Sequence, residues 1–230
     1  MNLNVRKQAG LAVAAAFAFA AVVPTQAVAA PIVNIVAGDF ITLGDGPGSI
    51  SGEFYVDVLG KGVVGTDFIS FCLEKNEGIG AFGSPLKVGA VSTAAVHGGL
   101  GGGDPDPISV QTAWIFTQFT LGTLSNYTHT QAMANQLQQT IWYLENEVPL
   151  GAVGVQGLAW IAQANASGWT NVHSVHVLNM LKKDGSGNYT LAAQDQLALI
   201  PEPETYAMLL AGLGLMGFVA RRRQRKLASS

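Results

Sequence analysis

One cysteine, Cys72, stands among 230 residues. A lone thiol cannot close an intramolecular disulfide, and it excludes a CxxC redox pair and a cysteine-rich zinc site. Positive charge is scarce as well: between Ala30 and Ile200, five Lys face 13 Asp or Glu, a balance of about −8 with histidines neutral. Without a basic stripe there is no electrostatic source for nucleic-acid affinity, so no nucleic-acid partner is expected. No HExxH or GxSxG motif is present, and no local nucleophile–base pair marks a hydrolase. Repeats at solenoid spacing are also absent. The glycine-rich stretch ending at Gly103 runs into Asp104-Pro105-Asp106-Pro107 rather than Lys-Ser or Lys-Thr. It is therefore a loop and not a phosphate cradle, and its aspartates read as solvated turn carboxylates ahead of calcium ligands.

The two ends of the chain read as addresses. Arg6 and Lys7 precede an apolar run from Leu11 to Val23, and Ala27-Val28-Ala29 supplies small residues for cleavage. Residues 1–29 are thus expected to be a signal peptide, with signal peptidase as a partner and export as the outcome. Cys72 lies far beyond that cut, so it cannot carry a lipoprotein's lipid. At the other end stand Pro201-Glu202-Pro203-Glu204, an apolar run from Tyr206 to Ala220, and a basic cluster from Arg221 to Lys226. As a helix the apolar run spans about 22 Å, short of the roughly 30 Å hydrocarbon core. Snorkelling arginines extend its reach, and with the body exported the basic cluster stays cytoplasmic.

Pro201, Glu202 and Pro203, the glycine-punctuated apolar run, and Arg221, Arg222 and Arg223 together resemble the PEP-CTERM sorting signal of Gram-negative bacteria. The preceding Gln194-Asp195-Gln196-Leu197 is similar to what often leads into that tag. The resemblance covers residues 201–226 as the signal proper. It implies recognition by exosortase, cleavage near the tag, and delivery to the cell envelope or extracellular matrix. Before processing, the C-terminal helix would anchor the protein in the inner membrane.

Between the ends, residues 30–200 read as one exported α+β body. Pro31–Val36, Ile50–Val58 and Gly65–Leu73 are rich in β-branched and aromatic residues between glycine turn signals, which predicts N-terminal strands. Helical signals follow. Ser109 is a candidate N-cap for Val110–Phe119, Thr128 or Thr130 for a helix running to about Glu147, and Ser167-Gly168 ends a third from Val155 to Ala166. Val172–Leu181 predicts a C-terminal strand, and Asp184-Gly185-Ser186-Gly187-Asn188 a hairpin turn before Tyr189–Leu191. His173 and His176, three apart on a strand, point to opposite faces and read as ordinary strand histidines rather than metal ligands. No metal or cofactor is expected.

In the third strand Cys72 lies between Phe71 and Leu73. On the second helix Gln138 lies one turn before Ile141 and Trp142, with Leu137 beside it. Phe71-Cys72-Leu73, followed by Leu137-Gln138-x-x-Ile141-Trp142, resembles the paired motifs of the thioester domains of bacterial surface adhesins. The resemblance implies a bond between the Cys72 sulfur and the Gln138 side-chain carbonyl, formed with loss of ammonia. In such domains an amine on a surface or matrix then takes the acyl group. Proximity would supply the effective concentration that an unactivated amide needs. Closing a loop of about 65 residues would also stabilise the fold by roughly 4 kcal/mol on the loop-entropy model used for disulfides. Three readings follow: a non-enzymatic surface or matrix protein that attaches to amines, a structural biofilm-matrix protein with an inert cysteine, and an exported hydrolase using Cys72.

Overall fold

The computed structural model describes residues 34–48, 52–61, 67–96, 99–200 and 211–216. The body is α+β. Strands β1 (Phe40–Asp45), β2 (Phe54–Val58), β3 (Phe68–Ser70), β4 (Leu86–Ser92), β5 (Ala94–Ala95) and β6 (Asp106–Pro107) come first. Helices α1 (Val110–Thr120), α2 (Gln131–Leu144) and α3 (Val155–Ala166) follow, and β7 (Val175–Lys183) and β8 (Tyr189–Leu199) close the chain order.

Six strands form one antiparallel sheet in the order β3-β2-β1-β4-β7-β8, while β5 and β6 pair separately. Beyond its last residue, the chain of β3 continues through Phe71 and Cys72 and meets β8, where Cys72 bridges Gln196. The two edges of the sheet therefore meet, which removes a pair of exposed edges that would otherwise invite association. Inside the curl lie Ile41, Leu43, Val56, Val88, Leu178 and Met180, with Cys72 among them. On the outer face, Phe71, Leu73, Val177 and Leu197 pack against the helices through Phe116, Leu137, Ile141 and Trp160. Each large apolar side chain fully buried there contributes about 1.5–3 kcal/mol.

The helices start where local chemistry says they should. The Ser109 side chain accepts from the Thr112 N–H, and the Thr130 side chain from the Met133 N–H, each satisfying an otherwise orphaned donor of the first turn. On α2, Ala134, Leu137, Gln138 and Ile141 share the buried face, the spacing of an amphipathic helix with one polar member. The expected turn at Asp184 is present: its carboxylate accepts from the Thr190 hydroxyl and from the N–H groups of Asn188 and Ser186, which hold it below the ordinary carboxylate range.

Some expectations need correction. Residues 34–36 are not a strand, and Phe40–Asp45 and Leu86–Ser92 are strands that composition did not reveal. The final strand runs to Leu199 instead of ending near Leu191, so Gln194-Asp195-Gln196-Leu197, which stands just before the tag, is itself part of the fold. His173 sits in a turn with φ 50° and only His176 lies on β7. The signal peptide at residues 1–29 lies outside the described residues, as do Pro201, Glu202, Pro203, Arg221, Arg222 and Arg223. Of the run from Tyr206 to Ala220, residues 211–216 are described; they are helical and exposed. No helix among the described residues is long and apolar enough to cross a membrane.

Candidate functional site

Two strands and one helix converge on Cys72. On one edge, Leu197 N–H donates to the Phe71 carbonyl at 3.2 Å, and Leu73 N–H to the Asp195 carbonyl at 3.3 Å. The Ser70 hydroxyl adds a 2.7 Å bond to the Leu197 carbonyl. Because N–H and C=O groups alternate sides along a strand, the polar groups of Cys72 itself face the opposite edge. There β2 has run out, its last rung being Phe54 opposite Ser70.

The Gln138 side chain occupies that missing rung. Its Oε1 accepts from Cys72 N–H at 3.0 Å, and its Nε2 donates to the Cys72 carbonyl at 2.8 Å. The amide thus pairs with one residue as a neighbouring strand would, and both residues are 0% exposed. Leu137 and Ile141 lie in the same apolar cluster as Phe71 and Leu73, while Trp142 packs in the inner cluster with Cys72. All five expected surrounding residues are therefore buried around the pair.

The amide and the thiol thus share one residue's backbone as an anchor. A backbone donor on the carbonyl oxygen draws electron density from the carbon, and the residue supplying that donor also carries the thiol. Gln196, missed by sequence reasoning, points its Nε2 at the Cys72 Sγ from 3.6 Å. A donor at that sulfur stabilises negative charge on it. Its own Oε1 is buried with no hydrogen-bond partner among the described residues.

Gly52 closes the other side. Its φ is +92°, and a Cβ there would stand 2.7 Å from the Phe71 ring and 3.0 Å from Gln138 Oε1. Only glycine tolerates both the backbone conformation and the approach. The next residue, Glu53, is buried, and its carboxylate accepts from the Tyr127 hydroxyl and contacts His129 Nδ1 at 2.8 Å. Burial, followed by the bond to Glu53, pushes the Tyr127 hydroxyl well above the usual tyrosine range, so it stays a donor. Glu53 thereby fastens the start of β2 to the loop before α2, beside the amide.

A second polar cluster lies beyond Leu73. Glu74, Asp106, Glu145 and Glu147 line one narrow cleft with Leu73, Ala95 and Ile108. Glu147 accepts from the N–H groups of Lys75, Leu100 and Gly101, and Glu145 from the N–H and hydroxyl of Ser109. Burial, with Asp195 and Glu77 nearby, pushes Glu74 up to about 9. Asp106 and Glu145 are also raised, chiefly by burial. The expectation that Asp106 is a solvated turn carboxylate is thus corrected: it sits on β6, facing other acids. Among the described residues, no group of three His, Cys, Asp or Glu side chains is placed to hold a metal ion.

Residues 199–224 match the PEP-CTERM protein-sorting motif. The match begins at the last residue of β8, and the final backbone tie of the body is Ile200 N–H to the Ser174 carbonyl at 2.8 Å. The motif marks an exported protein processed by exosortase. No curated protein and no solved structure matches the chain.

Proposed function

We propose that this exosortase substrate is a cell-surface or extracellular-matrix protein that attaches covalently to amines through a thioester between Cys72 and Gln138. The observation that carries the reading is the pair of hydrogen bonds holding the Gln138 amide on the backbone of Cys72. In the forming step, Cys72 Sγ, as thiolate, attacks Gln138 Cδ. The amide nitrogen takes up a proton and leaves as ammonia, and the Cys72 N–H steadies the oxygen as it gains charge. In the attachment step, an amine displaces the sulfur, which departs as thiolate and regains a proton; an amide to Gln138 remains. No enzyme or cofactor is needed for either step.

Burial suits a stored acyl group, because water has little access to a bond between two residues of zero exposure. The sorting signal fits as well. A protein cut from its membrane anchor needs another attachment, and a covalent one to a surface or matrix amine would serve. The competing reading is a structural matrix protein in which Gln138 only completes the ladder beside an inert thiol.

Methylamine separates the two. Incubation at mildly alkaline pH is expected to place a methylamide on Gln138 and release one titratable thiol per chain, as read by peptide mass mapping. Labelling at Gln196, or none at all, contradicts the assignment. Gln196→Ala should keep the label on Gln138 while slowing its formation.

A further inference from the structure

From Pro107 to Leu181, the stretch that contains all three helices, the only Asp, Glu, Lys or Arg residues are Glu145 and Glu147. Both are buried, at 5% and 4% exposure, so the helical layer turns no such charge to water. A face of that kind can approach a medium of low dielectric without stripping water from a charge.

Within the layer, α3 is apolar on two sides. Its inner side buries Gly157, Trp160 and Ala164. Its outer side exposes Val155, Leu158 and Ala162, spaced i, i+3 and i+7, with Val155 87% and Leu158 45% exposed. Just before the helix, Leu150 is 51% exposed. A helix that is apolar all round is ordinarily covered on both sides. The helix is also fixed in its roll: Trp160 Nε1 donates to the Ser125 carbonyl at 2.8 Å, and Gln156 Nε2 to the same oxygen at 3.1 Å. The outer stripe therefore stays outside.

The point where the tail leaves the body says what covers that stripe. After α3 the chain passes Trp169 and His173, whose rings lie 4.2 Å apart, and reaches Ser174. Ile200 N–H donates to the Ser174 carbonyl at 2.8 Å, so the exit lies beside the turn that follows α3. Five residues, Pro201 to Thr205, separate Ile200 from the apolar run that begins at Tyr206. At full stretch they hold the exit within about 20 Å of that run, against about 18 Å for the length of α3 itself.

We propose that, until exosortase cuts the tail, the outer face of α3 rests on the lipid surface of the membrane, with Leu150, Val155 and Leu158 in the headgroup region. The inference rests on the sorting-signal reading and does not involve the thioester. Three aliphatic side chains are too few to hold a free protein on lipid, but the tether makes the contact intramolecular. The contact orients the anchored body, and cleavage removes the tether that maintains it.

The experiment uses the chain as it stands before exosortase cleavage, with Cys72→Ala so that one introduced thiol carries an environment-sensitive fluorophore. The probe is placed on Leu158→Cys or, as a control, on Ser186→Cys in the β7–β8 turn, about 30 Å from the exit along β7. Both proteins are reconstituted in phosphatidylcholine vesicles, with and without acyl chains brominated near the headgroup. Bromine should quench the Leu158 probe at least about threefold more than the Ser186 probe, as for a helix face seated roughly 5–10 Å into the headgroup boundary. Val155→Cys should behave as Leu158→Cys does, and its high exposure keeps the test open if the Leu158 variant folds poorly. Equal quenching at Leu158 and Ser186, in protein that floats with the vesicles, overturns this inference and leaves the anchor intact. Protein that does not float overturns the anchor and the inference together. A Leu158 probe shielded from water yet unquenched by bromine puts a second copy on the stripe and overturns the assignment to lipid.

Discussion

Gln138→Met, in a Cys72→Ala background, is expected to lower the thermal midpoint by roughly 6–15 °C. The background removes any thioester, so only the hydrogen-bonded role of the amide is read. Methionine nearly keeps the volume and the apolar contacts but offers no replacement for either bond. The N–H and C=O of Cys72 are then buried and unpaired, at about 1–3 kcal/mol each. For a body of this size, 1 kcal/mol corresponds to about 2–4 °C. A shift below about 2 °C would mean that the Cys72 ladder groups find other partners, and the amide would lose its place in the account. Calorimetry on the two variants settles the matter.

The second large effect concerns pH. Glu74 is raised from 4.5 to about 9 in the folded protein, first by burial and then by Asp195 and Glu77. A carboxyl that binds its proton more tightly when folded contributes stability that is full below the unfolded value. That stability is lost as pH climbs through the folded one. The protein should therefore be most stable near pH 5 and should weaken steadily toward pH 9. Asp106 and Glu145 are shifted the same way and add to the slope. Asp184, lowered and exposed, acts only at more acidic pH and leaves this window alone. At about 1.4 kcal/mol per pKa unit, the strain at pH 8 amounts to several kcal/mol. Glu74→Gln mimics the protonated acid and should raise the midpoint at pH 8 by about 5 °C or more, with little change at pH 5. A flat pH profile in the wild type, or a Glu74→Gln variant less stable at both pH values, contradicts this picture.

How far the molecule could be read beforehand depended on which interactions leave a periodic trace. Helices α1 and α2 were legible because Ser109 and Thr130 cap them, and α3 because Ser167-Gly168 ends it. The β7–β8 turn was legible because Asp184 to Asn188 is turn chemistry. Strand β1 was not, since Phe40–Asp45 contains Gly44 and Asp45 and is held by β2 and β4 on either side rather than by its own pattern. The end of β8 was misread for a related reason. Gln194, Asp195 and Gln196 look like a polar linker, yet all three are buried, and their polarity serves other strands: Asp195 accepts from Met180 N–H, Val96 N–H and Asn179, and Gln194 donates to the Glu74 carbonyl.

The Cys72–Gln138 pair was legible because two short motifs named its members in order. Glu53, Glu74 and Gln196 were not, because a buried polar side chain has no signature of its own until its partners are known. The address at residues 199–224 needed no fold to be read, since its tag, apolar run and basic stop are local features. What the fold adds is that β8 runs to Leu199, the residue at which the sorting motif begins.

Intact-mass measurement of the purified protein tests the central claim most directly. Thioester formation predicts a mass lower than that of the processed sequence by one ammonia, restored to the full value in Cys72→Ala and in Gln138→Ala. A wild-type mass equal to that of the unmodified processed sequence, from freshly purified protein never exposed to amines, would contradict the account.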